Sequence, residues 1–420
     1  MDTLIKTTTV EEQANAAKKA AKTLSILSTE EKNDALNILA DVLESEFESI
    51  LAANEKDLQK GREKGLDQAF MDRLVLNRER VFDFADGLRT VAELADPVGD
   101  VLSSWKLENG LKVEEVRVPL GVIGMIYEAR PNVTVDAAGL ALKSGNAIVL
   151  KGGSSAIFSN MEIVRIMHKA LEKTKIPKEA VQFISTTDRE ATKQLFTMKN
   201  HIDVLIPRGG ASLIQTVVEN ATVPVLETGV GNCHLYVDKE ADVEKALNII
   251  INAKTDRPAV CNAAETLIVD KKWLDRNKEE LAKTFKEHHI TVHGDDAAAN
   301  ALSNVLPADE NDWANEYLSL DIAVKTVSSL EEAIEHIDRY GTKHSEAIIT
   351  ENQETAKKFM QLVDAAALYH NASTRFTDGS ALGFGAEIGI STQKLHSRGP
   401  MGLLALTTSK YLMSGNGQVR

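Results

Sequence analysis

The chain has 420 residues, a length that suggests two or three domains. Hydrophobic residues make up 43% and charged residues 26%, which argues against a largely disordered chain. Lys and Arg number 48 against 62 Asp and Glu, a net charge of −14. With no basic tail, the chain is a poor candidate for wrapping nucleic acid or coating an anionic membrane.

The N-terminus through Leu24 lacks a secretory apolar core and a cleavage site, and no apolar run approaches the roughly 18–20 residues of a bilayer span. The first hundred residues then read as successive helices. Val10 to Leu27 has helical spacing, Ser28 to Glu31 fits a capping box before an amphipathic run from Ala35 to Leu51, and Phe82 to Leu94 repeats the pattern. Near Pro97 the texture changes. Alternating residues flank Asn109-Gly110, a hairpin signal in which both turn positions favour φ > 0.

From Gly121 short apolar strands alternate with helices. Strands are expected at Gly121 to Tyr127, Asn146 to Leu150, Val181 to Ser185, Val204 to Ile206 and Val223 to Leu226. A second such segment begins near Leu235, with strands at Leu235 to Val237, Thr266 to Val269, Ile322 to Lys325 and Glu346 to Thr350. This alternation predicts parallel sheets covered on both faces. The Gly-rich end closes with an expected strand from Leu403 to Thr408.

The only two cysteines are Cys233 and Cys261, so no disulfide framework exists and a reducing cytoplasm is the expected compartment. Cys261 follows Pro258 and precedes Asn262-Ala-Ala. A loop entering a helix there would lower a thiol pKa and make a nucleophile, whereas the alternative is a buried inert thiol. Cys233 leads directly into a strand and reads as inert. Glu227, at a strand end before glycines, faces a cleft or is a surface acid. Lys151-Gly152-Gly-Ser154 and Arg208-Gly209-Gly210 both follow strands and precede helices, where backbone N–H groups can approach a phosphate. His289 and His293 are four apart, but the intervening residues read as a strand and the site does not favour a metal.

Together, the blocks Glu115 to Val133, Leu150 to Ser155, Ile206 to Gly210, Arg257 to Asn262 and Leu395 to Leu403 resemble the aldehyde dehydrogenase superfamily and, within it, the gamma-glutamyl phosphate reductases. The resemblance spans nearly the whole chain. It implies an α/β fold of two Rossmann-like domains with a small β oligomerisation flap. On that pattern residues 1–103 and 122–229 form a cofactor-binding domain, 230–392 a catalytic domain, and 104–121 with 393–420 an oligomerisation hairpin and tail. The implied activity is NADPH-dependent reduction of L-glutamate 5-phosphate to L-glutamate 5-semialdehyde and phosphate through a cysteine thioester, the second step of proline biosynthesis.

Residue by residue, the resemblance makes Cys261 the nucleophile and Asn132 the oxyanion donor. Glu227, 34 positions before Cys261, matches the superfamily's catalytic glutamate, although a thioester that exchanges with phosphate needs no activated water. Lys151 with Gly152 and Ser154, Arg208 with Gly209 and Gly210, and Glu316 would hold the cofactor. Arg130, Arg257 and Arg398 would meet the phosphate and amino-acid groups of the substrate. Many NAD-using relatives carry a glutamate where Ser154 stands, which favours NADPH here. The implied partners are a second copy of the chain, as a homodimer or higher oligomer, and glutamate 5-kinase through channelling. The rival readings are a hydrolytic aldehyde dehydrogenase and a non-catalytic protein of the same fold.

Overall fold

The computed structural model describes residues 9–128 and 130–420. Residues 1–8 of the expected cofactor domain, and Ala129 within the Glu115 to Val133 block, lie outside the described residues. The chain forms two compact units. One runs through Thr228 and also takes Gly383–Gly389 and Met401–Arg420. The other comprises Gly229–Leu382 and Ile390–Pro400.

The first unit opens with helices Val10–Leu24, Thr29–Ser45, Phe47–Glu63, Gln68–Leu74 and Arg78–Glu93. Capping boxes start the first two, through Thr9 with Glu12 and Ser28 with Glu31. The expected run from Ala35 to Leu51 is two helices broken at Glu46 (φ −109°, ψ 17°). The apolar spacing continues across the break because Leu39, Leu43 and Ile50 all enter one core. Strands β1 (Val101–Lys106) and β2 (Lys112–Pro119) pair antiparallel. Their connection is not the expected two-residue turn. Leu107 N–H donates to the Leu111 carbonyl at 2.9 Å across Glu108-Asn109-Gly110, and of these residues only Gly110 has positive φ, at 90°. Asn109 instead accepts the Leu111 N–H on its side chain.

Strands β3 (Val122–Tyr127), β4 (Ala147–Gly152), β5 (Val181–Phe183) and β6 (Val204–Arg208) form a parallel sheet in the order β5-β4-β3-β6. Helices Pro131–Lys143, Ile157–Leu171 and Arg189–Thr197 connect them. The expected strand from Val223 to Leu226 is reduced to a single bridge between Leu205 and Val225. Pro224 has no N–H with which to extend the ladder.

The second unit supplies β7 (Cys233–Val237), β8 (Ala264–Asp270), β9 (Thr291–Gly294), β10 (Val305–Pro307), β11 (Asp321–Val327), β12 (Ser345–Ile349) and β13 (Ala367–His370). They form one parallel sheet ordered β10-β9-β11-β8-β7-β12-β13. Every residue of β7, β8 and β12 is buried, as expected of strands covered on both faces. Leu235, Val237, Leu267 and Val269 pack on one face with Ile250, Trp273 and Phe285, from helices Val243–Thr255 and Lys271–Glu287. Tyr236, Ile268 and Ile348 pack on the other with Ile334 and Phe359, from helices Leu330–Tyr340 and Gln353–Leu362. Two short strands, β14 (Ile390–Ser391) and β15 (Gly399–Pro400), complete this unit.

The tail then returns to the first unit. Leu403–Leu406 is a 3₁₀ turn, and the last strand, β16 (Thr407–Ser414), begins only after it. The expected start at Leu403 fails because Leu403 and Leu406 turn into the first unit's core. β16 pairs antiparallel with β2 over eight residues, giving a sheet ordered β1-β2-β16. The two Rossmann-like α/β sheets and the small antiparallel sheet are the architecture that the resemblance implies. No helix among the described residues is long and apolar enough to cross a membrane.

Candidate active site

In the second unit, Cys261 is half-buried on a turn between helix Val243–Thr255 and β8. The expectation of a helix after the loop is wrong. Asn262-Ala-Ala runs into a strand, so the segment after Cys261 offers its thiol no helix N-terminus. The turn packs backbone to backbone on Gly231: a Cβ at position 231 would lie 1.5 Å from the Cys261 carbonyl oxygen, which only glycine avoids. The Gly231 N–H donates to Glu316 Oε1 at 2.8 Å. Burial pushes the Glu316 carboxyl up in spite of that bond. Glu316 is thereby fixed to the segment that supports the cysteine.

Behind Glu316 lies a fully buried ion pair that the sequence did not reveal. Lys254 Nζ meets Glu265 Oε2 at 2.5 Å, and Glu265 Oε1 accepts the Leu318 N–H at 3.2 Å. Loss of water pushes Glu265 up to about 7 and lowers Lys254. The signal available was two opposite charges flanking the cysteine, with Glu265 inside the mostly apolar run Ala263 to Val269. Cys233 is the buried thiol at a strand entry that the sequence leads one to expect. It is wholly buried at the start of β7, and its thiol donates to the Cys261 carbonyl at 3.2 Å.

The candidate arginines are placed differently from one another. Arg257 is exposed shortly before Cys261. Arg398 pairs with Asp364 at 2.8 Å, and Asp364 is pushed down to about 2 by Lys394 and Arg398. Arg130 is the half-buried N-cap of helix Pro131–Lys143 in the first unit. His293 lies between Asp312 and Asp321, at 3.4 and 3.0 Å, and stacks on Tyr317.

In the first unit, Asn132 sits in the first turn of helix Pro131–Lys143, after Pro131 has fixed the helical start. Its Nδ2 donates to Asp136 Oδ2, one turn on, at 3.0 Å. The Asp136 carboxyl is half-buried, and that burial costs its charged form. It is pushed up to about 6, with the Arg208 charge opposing the rise. Glu227 is half-buried immediately after the Leu205–Val225 bridge.

Lys151 and Gly152 end β4, and the exposed Ser154 opens the 3₁₀ turn that follows. Lys151 is 7% exposed, and its ammonium donates to the Gly152 carbonyl at 3.1 Å. Burial lowers its pKa, and among the described residues no carboxylate pairs with it. A buried cation without a counter-charge suits the hydroxyls and phosphate of a nucleotide. Arg208 ends β6, and the exposed Gly209 and Gly210 lead into helix Ala211–Asn220, which has no side-chain cap. Its open N–H groups suit a pyrophosphate.

Comparison with known proteins agrees with these features. The aldehyde dehydrogenase family model matches residues 3–321. Gamma-glutamyl phosphate reductase 2 of Bacillus licheniformis is 69% identical over 411 residues, spanning 98% of this chain and 97% of that protein. The gamma-glutamyl phosphate reductase of Bacillus cereus is 57% identical over 404 residues, 96% of this chain and 97% of its own. The crystal structure of gamma-glutamyl phosphate reductase from Thermotoga maritima superposes with a TM-score of 0.95 at 49% identity, covering 98% of this chain and 99% of that one. An acetylating aldehyde dehydrogenase from Geobacillus thermoglucosidasius, 20% identical with a TM-score of 0.72 over 98% of this chain and 97% of its own, shares the fold. The chain is an oxidoreductase and belongs to the gamma-glutamyl phosphate reductase family within the aldehyde dehydrogenases.

Proposed function

We propose that this enzyme reduces L-glutamate 5-phosphate to L-glutamate 5-semialdehyde and phosphate, with NADPH as reductant, in proline biosynthesis. The observation that carries the reading is Cys261 itself, half-open on a turn whose backbone is fixed by Gly231. Near-full-length similarity to gamma-glutamyl phosphate reductases supports the choice of substrate.

The first unit takes the adenosine and pyrophosphate of the cofactor, and the second carries the nucleophile. Lys151, with Gly152 and Ser154, holds the adenosine end. Arg208, Gly209 and Gly210 hold the pyrophosphate, and Glu316 positions the nicotinamide ribose. Bound there, the cofactor supplies hydride. The Cys261 thiolate adds to the acyl carbon, and Asn132 and the Cys261 N–H stabilise the oxyanion. The adduct collapses with loss of phosphate and leaves a thioester on Cys261. After reduction, the thiohemiacetal alkoxide expels the thiolate and releases the aldehyde. Arg130, Arg257 and Arg398 serve the substrate's anionic groups. Because the thioester exchanges with phosphate, Glu227 has no water to activate.

The exposed faces of β1 and β16 support a homodimer or higher oligomer. All six β1 residues are exposed, and Trp105 lies edge-to-face with Tyr411 at 6.1 Å between ring centres, both open to solvent. A cytoplasmic location and channelling from glutamate 5-kinase complete the reading.

The deciding assay runs the reaction backwards. NADP⁺ reduction with glutamate 5-semialdehyde should depend saturably on inorganic phosphate in a phosphate-free buffer, and arsenate should replace phosphate. Full-rate turnover without either would mean that water clears the thioester. Glu227 would then be the base of a hydrolytic enzyme.

A further inference from the structure

The turn carrying Cys261 belongs to a closed ring of hydrogen bonds. The residue after the nucleophile, Asn262, donates from Nδ2 to the carbonyl of Thr377 at 2.8 Å, and its own carbonyl accepts from Thr374 Oγ1 at 2.7 Å. Thr377 Oγ1 meets Ser345 Oγ at 2.7 Å, and Ser345 Oγ meets His344 Nδ1 at 2.9 Å. His344 Nδ1 lies 3.7 Å from Cys233 Sγ, and that thiol closes the ring by donating to the Cys261 carbonyl at 3.2 Å. Cys233, His344, Ser345 and Thr377 are all fully buried.

We propose that Cys233 is a positioning residue for Cys261: its thiol anchors the peptide that follows the nucleophile and holds the nucleophile's backbone in its reacting orientation. This rests on Cys261 being the nucleophile. Three further observations support the role. β7 begins at Cys233 and carries its thiol toward the turn, while Gly231, two residues earlier, abuts the same carbonyl. The thiol keeps its proton, since burial pushes its pKa well above the ordinary range, so it stays a donor at working pH. His344, depressed to about 4 by burial, stays neutral beside it. A thiol is a weak donor, but a bond inside a closed, dry network is reinforced by its neighbours. Small displacements of a nucleophile also cost disproportionately in rate.

The test compares Cys233→Ala, Cys233→Val and Cys233→Ser with Cys261→Ala. The measurements are kcat and KM in phosphate-dependent oxidation of glutamate 5-semialdehyde, the rate of alkylation by iodoacetamide with the labelled cysteine located by mass spectrometry, and thermal unfolding. Alanine and valine should lower kcat about tenfold with KM held within about twofold, and serine, which keeps a donor, should restore it. Alkylation of Cys261 needs no oriented substrate and should stay within about threefold in all three variants. A folding defect would instead move both rates and the unfolding temperature, and serine would not rescue it. Cys233→Val with wild-type kcat, or Cys233→Ser as impaired as Cys233→Ala, would overturn the proposal while leaving the nucleophile in place. An active Cys261→Ala would remove the nucleophile reading and, with it, this role.

Discussion

Asp136 gives Asn132 a defined amide orientation: a carboxylate only accepts, so it draws the NH₂ and, in the proposed mechanism, leaves that group's second hydrogen for the oxyanion. Its titration couples stability and activity in opposite directions. The carboxyl ionises near 3.8 when unfolded and near 6 when folded. Between those values the native state holds a proton that the unfolded state has released, so stability falls as pH rises from about 4 to about 6 and is level above. The accepting form of the group appears over the same rise, so kcat/KM should climb through pH 6. Asp136→Asn should abolish that acid limb and flatten the stability profile; a limb unchanged in the variant, followed by rate profiles and urea unfolding at several pH values, would detach Asp136 from catalysis. Ser154 supports a second prediction. It is exposed three residues after Lys151, whose ammonium pairs with no carboxylate among the described residues, and a carboxylate at position 154 would repel a 2′-phosphate bound there by about 1 kcal/mol or more. Ser154→Glu should therefore raise the KM for NADPH several-fold while leaving that for NADH nearly unchanged, as steady-state kinetics would show. The 34-residue spacing of Glu227 and Cys261 was legible in sequence through the resemblance alone. The bond from Cys233 to the Cys261 carbonyl was not, because a thiol entering a buried strand reads the same whether it is filler or donor.

Capped helices were the most legible elements, since Ser28 and Glu31 declare their own bonding in the sequence. Less legible were elements whose neighbours decide them. The break at Glu46 interrupts no apolar period, and β13 is a half-buried sheet edge with no clear alternation. The pair Lys254–Glu265 spans helix and strand and was invisible, because charges are ordinarily assigned to the surface. Truncating one partner strands the other in the interior. Lys254→Ala should therefore cost about 3–5 kcal/mol in denaturant unfolding, far more than an exposed pair such as Arg62–Glu55. The tail predicts a different outcome. Removing residues from Gly402 would take Leu403 and Leu406 from the core and confound assembly with folding. A chain ending at Thr408 keeps both and loses most of β16, so it should fold yet sediment as a smaller species than the full chain. A truncated protein that keeps the full assembly by light scattering would free β16 of that role.

At the scale of the whole molecule, the second unit is an insertion: the first unit's chain leaves at Thr228, returns for Gly383–Gly389, leaves again and ends with Met401–Arg420. Met401, Leu403 and Leu406 are buried in the first unit's core, and the Leu406 carbonyl accepts from Asn146 Nδ2 at 2.9 Å and from the Leu120 N–H at 3.4 Å. During synthesis, then, the half made first is the half finished last. A nascent chain released through Pro400 owns every residue of the second unit, with Cys261, while the first unit still lacks a piece of its interior and the edge strand of its small sheet. Translation that stops short of the final twenty or so residues would therefore yield the proposed nucleophile on a complete second unit while the first is incomplete. Quality control that recognises exposed apolar interior would remove that product before its chemistry could run unpartnered.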